Sequence, residues 1–435
     1  LLTLRLAARD PHRMESLRLR ASRWFEEEGD LQEALAQASA MESRERLVEI
    51  LDRHGYDILA RSEFAAYSRW LPHLPDPLAC GSPMFLASLA WFRAQTERSP
   101  DLGKLLTALD GALAEPPPDY PPDRLQEARM HRAVLESFVL RVTDRFDEAL
   151  ASGYAALKQL PAAASRIRGI LHFNLGAVYL RMADMAEAWE HLAAAYEDCL
   201  GNRVPYLVLA SRGHLGAITA QTTGLEAARG ELEAAVTFVR DEGLDGVPAF
   251  GIVLYQLAHV HYLADRLNPA RAHLERALEI TTGERETDIH ANVLIQLARV
   301  ESAAGNGERA EEAMRRGSAL ALQYNVKPFA TTLEVERARL VERRDGHLRP
   351  PEAAPASAES TLRWSSVREA ETRFALEQCL KLGRLEDADR LARVLEQESA
   401  PRGRGVALAV ARIARAVAER SAADRQRRVA DGLSL

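Results

Sequence analysis

Little in this sequence is suited to covalent chemistry or to a membrane. Its 435 residues contain three cysteines, Cys80, Cys199 and Cys379, scattered and odd in number. Neither a disulfide framework nor a thiolate zinc site fits that pattern. Aromatic residues make up only 6% of the chain, and no alternating β-branched run of useful length occurs, which excludes a β-rich fold. No apolar stretch reaches the roughly 18 residues that a membrane helix needs, and no signal-peptide pattern is present, so a cytoplasmic protein without membrane contact is expected. The 56 basic against 63 acidic side chains give a net charge of -7, which argues against direct nucleic-acid binding by this chain.

Catalytic signatures are missing as well. There is no phosphate-cradling G-x-x-x-x-G-K-[ST] loop, no H-E-x-x-H pair and no G-x-S-x-G elbow. His259 and His261 are two residues apart, which splays them to different faces of a helix and makes a shared metal ion an unsuitable reading. Glu26, Glu27 and Glu28 sit beside a turn, where a solvated helix face accounts for them. No catalytic residue, metal ligand or cofactor is assigned, and an enzyme is not expected.

What is present is a repeat. A small residue recurs in a leucine-rich setting at Ser137, Gly176, Gly216, Ala258 and Ala298, a period of 39 to 42 residues. A second small residue follows at Ala188, Ala228, Ala270 and Ala310. Such spacing puts small side chains where two helices of a hairpin approach closely. Stretches such as "RMADMAEA" and "AAGNGERAEEA" supply the turn between them. One helical pair cannot bury its apolar face alone, so neighbouring pairs must stack. The fold class is therefore all-α.

The chain divides into a helical region at 1–75, irregular helical hairpins at 76–124 and the clear array at 125–342. A Pro, Ala and Ser rich linker follows at 343–360, and then a hairpin with Ala388 in the small slot and a basic amphipathic helix at 361–435. The eight arginines among residues 401–435 are read as belonging to a surface or docked helix rather than to phosphate contacts. The start "LLTLRLAARD" without Met suggests an excerpt of a longer polypeptide.

Candidate ligand-binding residues lie on the first helix of each pair, which lines the groove of a stacked array. Two residues before the small slot stand Asn174, His214, Gln256 and Gln296, one multidentate polar side chain per repeat. Tyr255, His259 and Tyr262 share a helix face, and Arg299 takes the place of His259 one repeat later. Arg181 and Gln221 are weaker candidates. A sugar, a nucleotide-like metabolite or a peptide suits such a mixture. The alternative is a solvated concave surface with no ligand. His261 falls in the slot filled by Tyr179 in its own repeat, which marks it as a core histidine.

The stretches "RASRWFEEEGDLQEA" and "LVEILDRHGYDILARSEFAAYSRWLPHLP", followed by repeats of about 40 residues, resemble the central part of the large ATP-dependent LuxR-type transcriptional regulators. The resemblance implies that residues 1–75 hold the end of a winged-helix segment and a first hairpin. It also implies that the repeats form a right-handed superhelix of tetratricopeptide-like hairpins that senses a small-molecule inducer or a peptide in its concave groove. ATP would bind only a separate N-terminal ATPase module, and DNA a C-terminal helix-turn-helix module; neither has its motif here. Self-association or contact with other regulator modules is a further implication. A free-standing scaffold of the same repeats, holding a peptide or partner protein, is the other reading.

Overall fold

The structure, a computed structural model, describes residues 10–61, 63–74, 81–96, 102–281, 287–323, 337–338 and 365–433. The expected linker at 343–360 and Cys80 lie outside the described residues. Among the described residues are nineteen full helices, one short 3-10 turn and no strand. They are α1 (Pro11–Glu27), α2 (Leu31–Ser39), α3 (Glu45–Ala60), α4 (Phe64–Trp70), α5 (Pro83–Thr96), α6 (Leu102–Ala114), α7 (Pro122–Val142), α8 (Phe146–Gln159) and α9 (Ser165–Arg181). Then come α10 (Met185–Gly201), α11 (Pro205–Thr222), α12 (Leu225–Asp241), α13 (Phe250–Leu263), α14 (Leu267–Ile280), α15 (Thr287–Ala303) and α16 (Gly307–Gln323). The last three are α17 (Ser366–Lys381), α18 (Leu385–Ser399) and α19 (Gly405–Leu433). The chain forms two compact units, Leu1–Ile167 and Arg168–Leu435, and their boundary falls inside the stretch 125–342.

One local device builds most hairpins. Seven positions after the small slot the chain enters the left-handed region, at Gly29, Asp144, Ala183, Asp265 and Gly305, and it does so again at Gly383, five positions before Ala388. That reversal lets the next backbone N–H reach back across the helix end, as Asp184 N to Tyr179 O (2.9 Å), Arg266 N to His261 O (2.8 Å) and Arg384 N to Cys379 O (2.8 Å). Orphan carbonyls at the helix end are thereby satisfied. Asp30 and Asp184 then cap the second helix through their side chains. In unit 1 the small slot is a serine, and its hydroxyl donates to the carbonyl of the facing alanine: Ser22 Oγ to Ala34 O (2.9 Å) and Ser137 Oγ to Ala149 O (2.8 Å). The N-terminal hairpin α1–α2 therefore uses the same joint as α7–α8, and Trp24 on α1 is 54% exposed.

In unit 2 the small slots are buried and tight. A methyl group at Gly176 would lie 2.7 Å from Leu192 Cγ, and one at Gly216 would lie 2.6 Å from the same atom of Leu232. Ala188, Ala228, Ala270 and Ala310 are completely buried opposite those slots. Arg271 and the buried Glu301 pair at 2.6 Å, and Asn306 Nδ2 also donates to Glu301 at 2.6 Å, which ties α14 to the end of α15. A buried carboxylate needs such partners to remain charged.

The C-terminal hairpin returns to the array. Ala183, in the turn between α9 and α10, belongs to the same buried cluster as Ala375, Leu376, Leu395 and Ala411. Met185 N donates to Arg402 O (3.0 Å), and Val406 N donates to Gln221 Oε1 (3.3 Å). Arg404 donates through Nε and Nη2 to both oxygens of the buried Glu369, each at 2.7 Å. Two basic residues of α19 are used internally as well: Arg412 and Arg415 both pair with Glu396.

Candidate functional site

Helices α13 and α15 are the first helices of two adjacent pairs, so equivalent positions on them lie side by side. Their apolar stripes fix which side chains turn inward: Leu257 and Ala258 on α13, Ile295 and Ala298 on α15, all buried. Gln296 is carried in with them and is completely buried. Its Oε1 accepts from Arg299 Nη1 at 3.1 Å, and His259 lies close enough to be influenced by it. The His259 ring stacks on Tyr262 with centroids 6.4 Å apart and planes at 22°.

Burial first, and then the positive charge of Arg299, push the His259 pKa down to about 4; Gln296 pulls it upward, and Arg373 and Arg404 add smaller downward effects. His259 is thus a neutral ring at neutral pH in a positive surrounding. Two polar atoms of this cluster, His259 Nδ1 and Gln296 Nε2, are buried with no hydrogen-bond partner among the described residues. Leaving a buried amide donor unpaired costs about 1 to 3 kcal/mol.

The structure gathers some of the expected residues and removes others. Gln296, Arg299, His259 and Tyr262 form one cluster. Tyr255 and Tyr262 both pack on the hydrophobic core of unit 2, so their faces are not an open aromatic wall. Gln256 is half-buried. Asn174 is buried, and His214 sits half-buried on α11 with its ring 6.1 Å from that of Phe173. Arg181 is half-buried, and Gln221 receives the backbone of α19. The picture of an open groove lined by one polar residue per repeat is therefore corrected for Asn174 and Gln296. Periodicity shows which face a residue takes but not what later elements place over it.

His261 is buried, and its ring stacks on His273 at 5.5 Å and 11°. Tyr179 stacks on His191 at 5.7 Å and 10° in the equivalent place two pairs earlier in the array. The two rings of His259 and His261 do point to different surroundings. His261 Nδ1, however, has no hydrogen-bond partner among the described residues, so this core histidine is not fully satisfied. Arg373 and Arg404, which complete the positive surrounding of His259, were not singled out by the sequence. They belong to α17 and to the turn before α19, and only tertiary packing brings them near. Among the described residues no group of three His, Cys, Asp or Glu side chains could hold a metal ion, and no helix is long and apolar enough to cross a membrane.

Comparison with known proteins agrees with this architecture. The chain is 26% identical over 348 residues to the serine/threonine-protein kinase PknK of Mycobacterium tuberculosis (strain ATCC 25618 / H37Rv), covering 77% of this chain and 30% of the relative. It is 25% identical over 295 residues to the HTH-type transcriptional regulator MalT of Yersinia pestis (strain Pestoides F), covering 66% of this chain and 31% of that protein. The chain thus spans about a third of the length of these curated relatives. Among solved structures, a Rap protein complexed with Competence and Sporulation Factor superposes with a TM-score of 0.56 at 13% identity, over 81% of this chain and 98% of that one. At that identity the likeness shows the helical-repeat fold alone. Residues 130–434 match the family described as the MalT-like TPR region, most of the chain, and the protein belongs to that family.

Proposed function

We propose that this chain is the effector-sensing and protein-interaction segment of a transcriptional regulator of the ATP-dependent LuxR type. The single observation that carries a ligand site is Gln296: a completely buried amide whose Nε2 lacks a partner, beside His259 and Arg299. A residue kept only for stability would be an apolar one of the same shape, since a half-satisfied polar network is worse than an apolar core. The relationship to MalT, named as an HTH-type transcriptional regulator, supports the regulatory setting. The kinase activity in the name of PknK is not carried over, because this chain spans only 30% of that protein. Inducer binding would act by preferring one of two states of the regulator, and about 5.5 kcal/mol of preference would swing a population from 1:99 to 99:1.

Gln296→Leu tests this reading. It removes the orphan donor and also the bond to Arg299, two opposing effects of similar size, so the melting temperature without ligand is expected to stay within a few degrees of wild type. Stabilisation by ligand in a thermal-shift screen is expected to vanish. A variant that melts far below wild type would assign Gln296 a structural role. A blank screen with the wild-type chain would leave partner-protein capture, the scaffold function, in its place.

A further inference from the structure

We propose that the outer face of α1 is a docking surface for a helical pair with acidic side chains beside its apolar stripe, stacked on α1 as one pair of the array stacks on the next. The surface lies in unit 1, whereas the ligand site at Gln296 lies in unit 2, so either reading can fail without the other. The register of the array shows what such a face meets. In α11, α13 and α15 the positions five before and two after the small slot are all buried: Ser211 and Ile218, Val253 and Val260, Val293 and Val300. Ile218 shares a buried cluster with Ala188 and Leu192 of α10, the second helix of the preceding pair. Val253 lies against the first helix of its own preceding pair, since a methyl group on Gly213 of α11 would come within 3.2 Å of the Val253 backbone N. Both helices of a preceding pair therefore cover these positions. In α1, with Ser22 in the slot, the same positions are Leu17 and Trp24, which are 41% and 54% exposed. In α7 they are Arg132 and Val139, both half-buried, so the exposure is particular to α1.

A pair that ends an array in water carries polar side chains on its outer side. Helix α1 presents Leu17, Ala21 and Trp24 there instead, at the spacing of one helix face. Arg20 and Arg23 border them, and with Glu27 these residues line one shallow, open depression. Both arginines are exposed and pair with no carboxylate among the described residues. Tryptophan and arginine are the side chains enriched at the energetic centres of protein interfaces. Two unpaired guanidinium groups against the single carboxylate of Glu27 select a partner whose apolar stripe is flanked by Asp or Glu.

The test is a fluorescence-anisotropy titration of the 435-residue chain against labelled arrays of three consensus tetratricopeptide-like pairs, enough to fold on their own. The first array leaves its last pair open, with leucines flanked by glutamates; the second has lysines for those glutamates; the third is closed by a polar capping helix. The first is expected to bind, the second to bind about tenfold or more weakly, and the third not at all. Trp24→Ala is expected to weaken the first array about tenfold or more, with the melting temperature unchanged because the side chain is exposed. Trp189→Ala, which removes a comparably exposed tryptophan on α10, is expected to leave binding as it was. Arg20→Glu combined with Arg23→Glu is expected to reverse the order of the first two arrays. Preference of the unaltered chain for the lysine array would overturn the acidic partner. Binding that ignores Trp24→Ala, equal binding of the capped array, or binding of none of the three would overturn the surface. A chain that sediments as a dimer and becomes monomeric with Trp24→Ala would place a second copy on this face, and binding seen only after deletion of residues 1–9 would place those residues there; either result overturns the proposed occupant.

Discussion

His131 in unit 1 is completely buried, with Trp91 Nε1 donating to its Nδ1 at 3.2 Å and the Tyr56 ring 4.1 Å away. Burial, and after it the charges of Arg166 and Arg124, push its pKa down to about 3; Glu127 lies 3.9 Å from Nε2 and does not reverse the shift. The unfolded chain protonates near the ordinary value of 6.5 while the folded chain does not. Stability from this residue is therefore full above that pH and falls as the pH drops toward the folded pKa. Urea unfolding at about pH 5 is expected to show a loss near 2 kcal/mol from this residue relative to pH 7.5, and His131→Phe should flatten that dependence. A pH profile unchanged by the substitution would remove His131 from the account. Single residues were unevenly legible in the sequence. Ala258 and Ala270 were visible because helical spacing alone makes them face each other. His131 and Arg404 were not, because their surroundings are assembled from distant elements.

At the scale of the helical pair, legibility is higher, since the joint is built from a small slot, a left-handed turn and a facing alanine, all local in sequence. The joint also shows why glycine and alanine are both used. Ala258 and Ala298 stand in the slot opposite Leu274 and Met314 in the later pairs, whereas Gly176 and Gly216 face Leu192 and Leu232 with no room for a methyl group. Gly216→Val is expected to destabilise by about 1 to 3 kcal/mol, read from the shift of the urea midpoint, and Gly216→Ala by less. Equal costs for both would mean that the helices part as soon as any side chain enters. The serines of unit 1 are a variant of the joint that spacing marked at Ser137 but not at Ser22. There the repeat is far from its nearest recognisable neighbour, and only the hydrogen bond from Ser22 to Ala34 O identifies it.

For the molecule as a whole, the return of the C-terminal hairpin onto the array was the least legible feature, because the contact spans more than 200 positions from Met185 to Arg404. Gly405 marks the point of closest approach, where a methyl group would overlap the Gln221 carbonyl oxygen. Gly405→Val should therefore raise amide hydrogen exchange in α18 and α19 while leaving α12 to α14 protected; an unchanged pattern would show that the hairpin is held elsewhere. Ala183 sits at the other side of this contact. It is the one alanine among the left-handed turn residues, with φ of 58°, where the other pairs use glycine or aspartate. Glycine would adopt that backbone freely, and aspartate can bond its own neighbours, but alanine pays about 1 to 2 kcal/mol and gets no local return. Its methyl group is instead completely buried in the core of the C-terminal hairpin. The turn is thus locally frustrated where a distant element docks, so that local backbone preference and long-range packing pull in opposite directions at this one residue.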